Sequence, residues 1–350
     1  MSMAVDRLNK FRERPVLRHL KRLTTKDGLI QHADLEVPDP SFGYSIDDNA
    51  RGIIACIWHY KNFKDPSVLN LLNTYFSYIK KVVKKENGSF HNFLSFSGEI
   101  LDKEGSEDSI GRAIWSLGEI IKNKDMLDGK MVIEAREIIN ETNISRHLNH
   151  RYIRCKAYIS LGLMAAGMSK EARPWISQLV EFFNKNSSKD WVWFEDGLYY
   201  ANGILPYALT VAAEIFKEEE LKDIAEKSYR WLDDVSTVGG LPNPIGQDGW
   251  YEKGKNMTLY DQQPLEAADM IIAAAELYKL TKEGPYIDAA LKWYGWYEGN
   301  NSQKSSLIND NTGGIFDGVT REGINKNQGA ESIVTYLMAY LILTELSTNE

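Results

Sequence analysis

Helix-period patterning along most of the chain, connections that alternate between short and long, and segments that alternate between wholly apolar and half-charged predict an all-α protein. The expected architecture is an (α/α)6 toroid, six helical hairpins in an inner and an outer ring. Apolar residues recur at three- and four-residue spacing near 3–23, 48–62, 66–84, 108–123, 130–141, 149–167, 170–187, 202–217, 219–236, 262–281, 283–298 and 329–348, as amphipathic helices require. Strand-type alternation is scarce. Short polar links join 62 to 66, 167 to 170, 217 to 219 and 281 to 283, whereas long links rich in Gly, Trp, Tyr, Asn and Asp precede the helices starting near 48, 108, 202, 262 and 329. Antiparallel pairing then gathers every long link at one end of the molecule. The segments after long links, such as Gly52–Ile57 and Ala267–Ala275, are apolar around most of the turn and read as inner helices. Lys170–Lys185 and Leu221–Asp234 keep a charged face and read as outer ones. One domain over residues 1–350 is expected.

Composition bounds the function. A 350-residue chain with 43% hydrophobic residues can bury a large core, which excludes disordered and fibrous classes. Net charge is −8, from 41 Lys+Arg against 49 Asp+Glu, without a long basic block, so no nucleic-acid partner is expected. The longest apolar run, 333–344, falls short of the roughly 20 residues that cross a bilayer, so no membrane partner is expected either. The start carries Arg7, Lys10, Arg12 and Arg14 but no apolar core of the signal-peptide kind, and a cytoplasmic location is expected. Cys56 and Cys155 lie in apolar contexts and read as buried thiols.

The long links have an unusual composition, with aromatic rings interleaved with carboxylates and amides. Tyr44, Asp47, Asp48 and Arg51 fall in the first; His91, Glu107, Asp108 and Arg112 in the second; His150 and Arg151 in the third. Trp193, Glu195 and Asp196 follow in the fourth, Tyr260, Asp261, Gln262, Gln263 and Glu266 in the fifth, and Gln328 and Glu331 in the sixth. Such a mixture suits a sugar, whose C–H faces stack on rings while its hydroxyls need planar donors and acceptors. Glycosidic cleavage needs two carboxyls, and candidates are plentiful. Each acid has a competing role. Ser45-x-x-Asp48 and Ser106-x-x-Ser109 have N-cap spacing, and a first-turn acid also answers the helix dipole. In a doublet one carboxylate can cap while its neighbour points roughly 100° away, so Asp47-Asp48 and Glu107-Asp108 each leave one acid free. The Trp193-Phe194-Glu195-Asp196 run is expected as a binding wall. Arg51, Arg112 and Arg151 would either pair with nearby acids or neutralise an anionic sugar. No metal and no cofactor are expected: no His-x-x-x-His occurs, and Asn309–Gly314, loosely like a calcium loop, has Arg321 where a bidentate Glu belongs.

Gly43–Arg51, Gly105–Arg112, Asp261–Glu266 and Asn327–Ser332 resemble a poorly characterised six-hairpin-glycosidase-like family. Its members are often labelled glycosyltransferase and many are encoded beside β-mannoside phosphorylase-type enzymes. The resemblance runs from His32 to Ser332 and implies the toroid, a mannose- or uronate-containing oligosaccharide as substrate, and partner enzymes of mannoside metabolism. By similarity to unsaturated uronyl hydrolases and other (α/α)6 glycosidases it also implies Asp48 and Asp108 as the catalytic pair, with Asp261, Glu266 and Glu331 in reserve. Sugar 2-epimerases share the toroid but use histidines in the later half, and no histidine follows His150 here. The glycosyltransferase label lacks a nucleotide-binding motif to support it. A glycoside hydrolase is therefore expected first. A non-catalytic glycan-binding or complex-forming protein comes second. A lyase or isomerase moving protons through Tyr44, His91 or His150 is third.

Overall fold

The computed structural model describes residues 7–84, 86–149 and 152–348. Among these, the chain forms twelve α-helices and no closed barrel. They are α1 (Arg18–Leu23), α2 (Ile46–Phe63), α3 (Ser67–Lys81), α4 (Glu107–Lys122), α5 (Gly129–Glu141), α6 (Ile153–Ala165), α7 (Ser169–Asn186), α8 (Ile204–Phe216), α9 (Glu219–Val235), α10 (Pro264–Thr281), α11 (Gly284–Tyr297) and α12 (Ala330–Thr348). From the second expected segment onward each one meets a helix. The start differs: the helix expected over 3–23 is a 3-10 turn at Asn9–Arg12 followed by α1. Pro15 parts them, because it lacks an N–H and keeps Arg14 out of the helical region. No helix among the described residues is long and apolar enough to cross a membrane.

The described chain divides into two compact units, one of Leu20–Gln178 and the other of Leu179 onward together with the segment up to His19. In the first unit α4 packs against both α2 and α6, with α3 against α2 and α5 against α4. The α4–α6 contact is backbone to backbone. A Cβ on Gly118 would lie 2.1 Å from the Gly162 carbonyl oxygen, and one on Gly162 would lie 2.3 Å from that of Ile114; only glycine allows this approach.

The same unit carries a sheet that the sequence reading missed, formed by β1 (Ile30–Asp34), β2 (Val37–Ser45) and, beyond the two-residue ladder of β3 (Val83–Lys84) and β4 (Ser89–Phe90), β5 (Phe93–Leu94). Pro38, Pro40 and Gly43 interrupt any period-two pattern in β2. Its register with β1 steps from Ile30↔Tyr44 to His32↔Asp39, so residues 40–43 bulge from the ladder. Gly43 sits at φ 62° and a Cβ there would be 2.1 Å from the Leu94 carbonyl oxygen, which pins the bulge against β5.

In the other unit α10 packs against α8, α11 and α12, and α9 against α8 and α10. The α9 stripe of Leu221, Ile224, Ala225, Ser228, Tyr229 and Leu232 is buried at helical spacing. Nearly every position of α10 from Pro264 to Tyr278 is buried, as a sequence apolar around most of the turn predicts, and that includes the acids Glu266 and Asp269.

Candidate active site

The two acid doublets open α2 and α4, both in the Leu20–Gln178 unit, and their registers differ by one residue. Ser45 is the N-cap of α2; its Oγ accepts from the Asp48 N–H (3.2 Å) and donates to Asp48 Oδ2 (2.7 Å). Asp48 thus stands at the third helical position in a reciprocal cap. Ser106 is the N-cap of α4, but its third position is Ser109, whose N–H reaches Ser106 Oγ at 3.1 Å and whose hydroxyl donates to the Ser106 carbonyl at 2.7 Å. The Ser106 cap thus forms without either acid of the second doublet. Asp47 and Asp108 therefore share the second helical position.

A guanidinium stands beside both. Arg112 Nη1 donates to Asp47 Oδ1 at 2.7 Å, Nη2 donates to the Tyr158 hydroxyl at 3.3 Å, and the group lies 4.7 Å from the Tyr158 ring centre. The Tyr158 ring stacks on Trp115 (5.8 Å, 23°). Asp108 is 7% exposed, and among the described residues neither of its oxygens accepts a hydrogen bond; the buried Arg112 Nε is likewise without a partner. Burial raises the Asp108 pKa, Arg112 and Arg154 oppose the rise, and Asp47 and Glu107 reinforce it. A carboxyl with no partner and a raised proton affinity is equipped to give a proton away.

Sequence reasoning passed over Arg154, Lys156 and Tyr158 on α6. The signal was present, two cations inside an otherwise apolar inner segment, and all three are buried. Lys156 Nζ donates to the Leu148 carbonyl (2.7 Å) and Gln178 Oε1 (2.6 Å), and burial lowers its pKa. Arg51 is buried on α2, and Glu107 is half-buried at the first position of α4. His91 donates from Nδ1 to the Asp102 carbonyl at 2.8 Å, while the Asp102 carboxylate accepts the N–H groups of Asn92 and Phe93. Tyr44 is buried with its hydroxyl on Thr25 Oγ1 at 2.8 Å, and burial raises its pKa. His150 and Arg151 lie outside the described residues.

The expected residues of the second unit are held differently. Glu266, 4% exposed, accepts from the Ala201 N–H, from the Asn202 N–H (3.2 Å) and from Asn202 Nδ2 (3.0 Å), so its carboxylate secures the turn before α8. Gln262 is buried with its amide shared among Asn243 (2.9 Å), the Leu259 carbonyl (2.8 Å) and the Trp296 indole (2.8 Å). Gln328 is buried and accepts from the Thr312 hydroxyl at 2.6 Å, while its carbonyl meets His19 Nε2 at 2.7 Å. These amides stitch loops together and have little left to offer a sugar. Trp193, expected in a binding wall, is fully buried against Phe194 and Trp231: its flanking acids diverge, with Glu195 half-buried and Asp196 exposed, but the indole itself packs inward. Asp261 is exposed, Gln263 and Glu331 are half-buried, and Tyr260 is half-buried under the Arg321 guanidinium at 5.7 Å. The Asn309–Gly314 segment is a turn whose carbonyls at Asp310, Asn311 and Thr312 accept from Arg18. Among the described residues no group of His, Cys, Asp and Glu has the arrangement of a metal site.

By sequence the chain matches no family model and no curated protein. By structure it is similar to a sugar epimerase from a ruminal bacterium (TM-score 0.74, 11% identity, covering 97% of this chain and 98% of that one). It is similar also to the cellobiose 2-epimerase from Bacillus thermoamylovorans B4167 (TM-score 0.75, 10% identity, 99% and 100% covered). A third is the α-1,6-mannanase from Salegentibacter sp. HEL1_6 (TM-score 0.61, 12% identity, 99% of each chain covered). The chain has the six-hairpin glycosidase-like fold, the (α/α)6 toroid.

Proposed function

We propose that the chain is a sugar-processing enzyme, a glycoside hydrolase acting on a short mannose- or uronate-containing oligosaccharide, with Asp108 as general acid and Asp47 as general base. The observation that carries this is the buried Asp108 carboxyl, without a hydrogen-bond donor among the described residues, beside the Arg112–Asp47 ion pair. Asp108 would protonate the glycosidic oxygen as the C–O bond breaks, and the Asp47 carboxylate would take a proton from the water that adds to the anomeric carbon. Arg112 orients the Asp47 carboxylate through its 2.7 Å hydrogen bond. This replaces Asp48, expected from the family resemblance, because the Asp48 carboxylate is drawn into the Ser45 cap.

The structural neighbours support the class. The mannanase of this fold has been seen with α-1,6-mannotriose bound to an inactive variant in which two consecutive aspartates are asparagines, so an acid doublet matters to one enzyme built this way. An epimerase or isomerase is the second reading, favoured by the higher TM-scores of the epimerases. It must do without a histidine in the later half of the chain, since His150 is the last. The single-domain organisation, the cytoplasmic location and partner enzymes of mannoside metabolism belong to this proposal.

The test is incubation of the full chain with α- and β-mannosides, glucosides and unsaturated uronyl disaccharides, followed by mass spectrometry for cleavage and NMR for mass-neutral change. Cleavage that disappears in Asp108→Asn sustains the hydrolase. Mass-neutral conversion installs the epimerase or isomerase, and binding without turnover installs a glycan-binding protein.

A further inference from the structure

Asp108 and Arg112 stand four residues apart on α4 with the acid on the N-terminal side, the spacing and order in which a helix ordinarily pairs a carboxylate with a guanidinium. That pair does not form. Among the described residues neither Asp108 oxygen has a donor and Arg112 Nε has no acceptor. Both side chains are buried, where an ion pair left unmade costs most. Arg112 crosses to α2 instead and donates to Asp47 at 2.7 Å. The Asp47 side chain is 26% exposed, so Asp108 is the drier acid and the one that burial alone would select.

The direction Arg112 takes is set from α6. The Tyr158 hydroxyl accepts from Nη2 at 3.3 Å, and the ring centre lies 4.7 Å from the guanidinium carbon, within reach of a cation–π contact. The ring is itself fixed, being buried and stacked on Trp115. Gly111 lets it come so near, since a Cβ there would stand 2.9 Å from the Tyr158 Cβ. Turning back toward Asp108 means giving up a contact to Asp47 or to Tyr158.

Resting on the reading of Asp108 as the acid, we propose that Tyr158 is a positioning residue that withholds Arg112 from Asp108: ring and hydroxyl commit the guanidinium to Asp47, and the Asp108 carboxyl is left to act on the substrate. The charged and titratable groups that act on Asp108 are Glu107 and Arg112 from its own helix, Asp47 from α2, and Arg154 and Cys155 from α6. Of the other elements packed against α4, α5 buries only Met131, Ala135, Ile138 and Ile139, and β4 is Ser89–Phe90. Arg112 and Arg154 are the cations of this set, and Tyr158 bears directly on the first.

The test is carbon-13 NMR of the aspartate side-chain carboxyls in the full chain without substrate, the Asp108 signal being assigned by its loss in Asp108→Asn. In Tyr158→Leu the released guanidinium turns to Asp108, and the midpoint of the Asp108 titration should fall by about one pH unit or more. Tyr158→Phe keeps the ring and its packing, and should move the midpoint the same way by less. In an Arg112→Gln background Tyr158→Leu should leave the midpoint where that background has it. An unmoved midpoint in both single variants overturns the proposal. A fall that persists without Arg112 also overturns it, by assigning the effect to water entering the space the ring vacates. Turnover is read separately. On a glycoside that the native chain cleaves, Tyr158→Leu should lower kcat at pH 7 by about tenfold or more, keep KM within a few-fold and carry the alkaline limb of the pH profile to lower pH. A chain that cleaves no glycoside overturns the hydrolase reading, while the titration still decides the role of Tyr158.

Discussion

Asp108 and Glu266 are both buried acids in the first turn of an inner helix, 7% and 4% exposed, and both were singled out by the same reading of the sequence. Around Glu266 three N–H donors converge, two of them from the backbone. Around Asp108 none does among the described residues, where the charges of Arg112 and Arg154 offset its burial. An acid whose oxygens are filled by the chain's own donors is a structural element, whereas one left unfilled beside a fixed cation is available for chemistry.

The contrast can be broken most directly at Asp108. Asp108→Asn should lower turnover by about 10²–10⁴-fold with sugar affinity kept; retained turnover would move the chemistry elsewhere. Glu266→Gln should act on stability instead, because an amide NH2 group then faces N–H donors. A loss of about 2–4 kcal/mol, read as a lower urea midpoint at constant slope, is expected. Gln328→Leu strands the Thr312 hydroxyl and the adjoining loop, and should cost about 1–3 kcal/mol without altering sugar affinity. Asp48→Ala removes one side of the Ser45 cap and should cost about 1 kcal/mol, with turnover kept within a few-fold. A collapse of turnover as deep as that of Asp108→Asn would restore Asp48 to the catalytic pair.

The smallest effect is a pH dependence of stability. Burial raises the Asp108 pKa, so the folded chain holds this proton to higher pH than the unfolded chain does. Between the ordinary carboxylate value and the raised one the folded state binds more protons, and this group's contribution to stability falls as pH rises through that window. Asp108→Asn should remove that decline, and a variant that melts slightly above the native chain at pH 7, by calorimetry, is the expected outcome.

The helices were legible because burial on one face leaves a period, as in the Leu221 to Leu232 stripe of α9. The β1–β2–β5 sheet was not legible, since two prolines and a glycine in β2 erase alternation and the bulge is defined by Leu94, far along the chain. At the acid doublets the deciding signal was on the page: Ser45 stands three residues before Asp48, while Ser106 stands three before Ser109 and only two before Asp108. Family resemblance drew attention to Asp48, whose carboxylate the cap spacing places at the Ser45 hydroxyl. The tie-up of Gln262 and Gln328 could not be read ahead, because Asn243, Trp296 and Thr312 reach them only through the tertiary fold.

The glycine seam between α4 and α6 has a bearing on how this protein could be altered. With Gly118 and Gly162 pressed carbonyl to Cα, the spacing between the helices that bear Asp108 and Arg154 is set by backbone thickness, the least adjustable dimension a protein has. Any side chain introduced there pries the acid from the Arg154 guanidinium on α6 before it touches a ligand. Surface loops, where insertion is tolerated, have no such constraint. A library built on the seam would return mostly misfolded or inert chains.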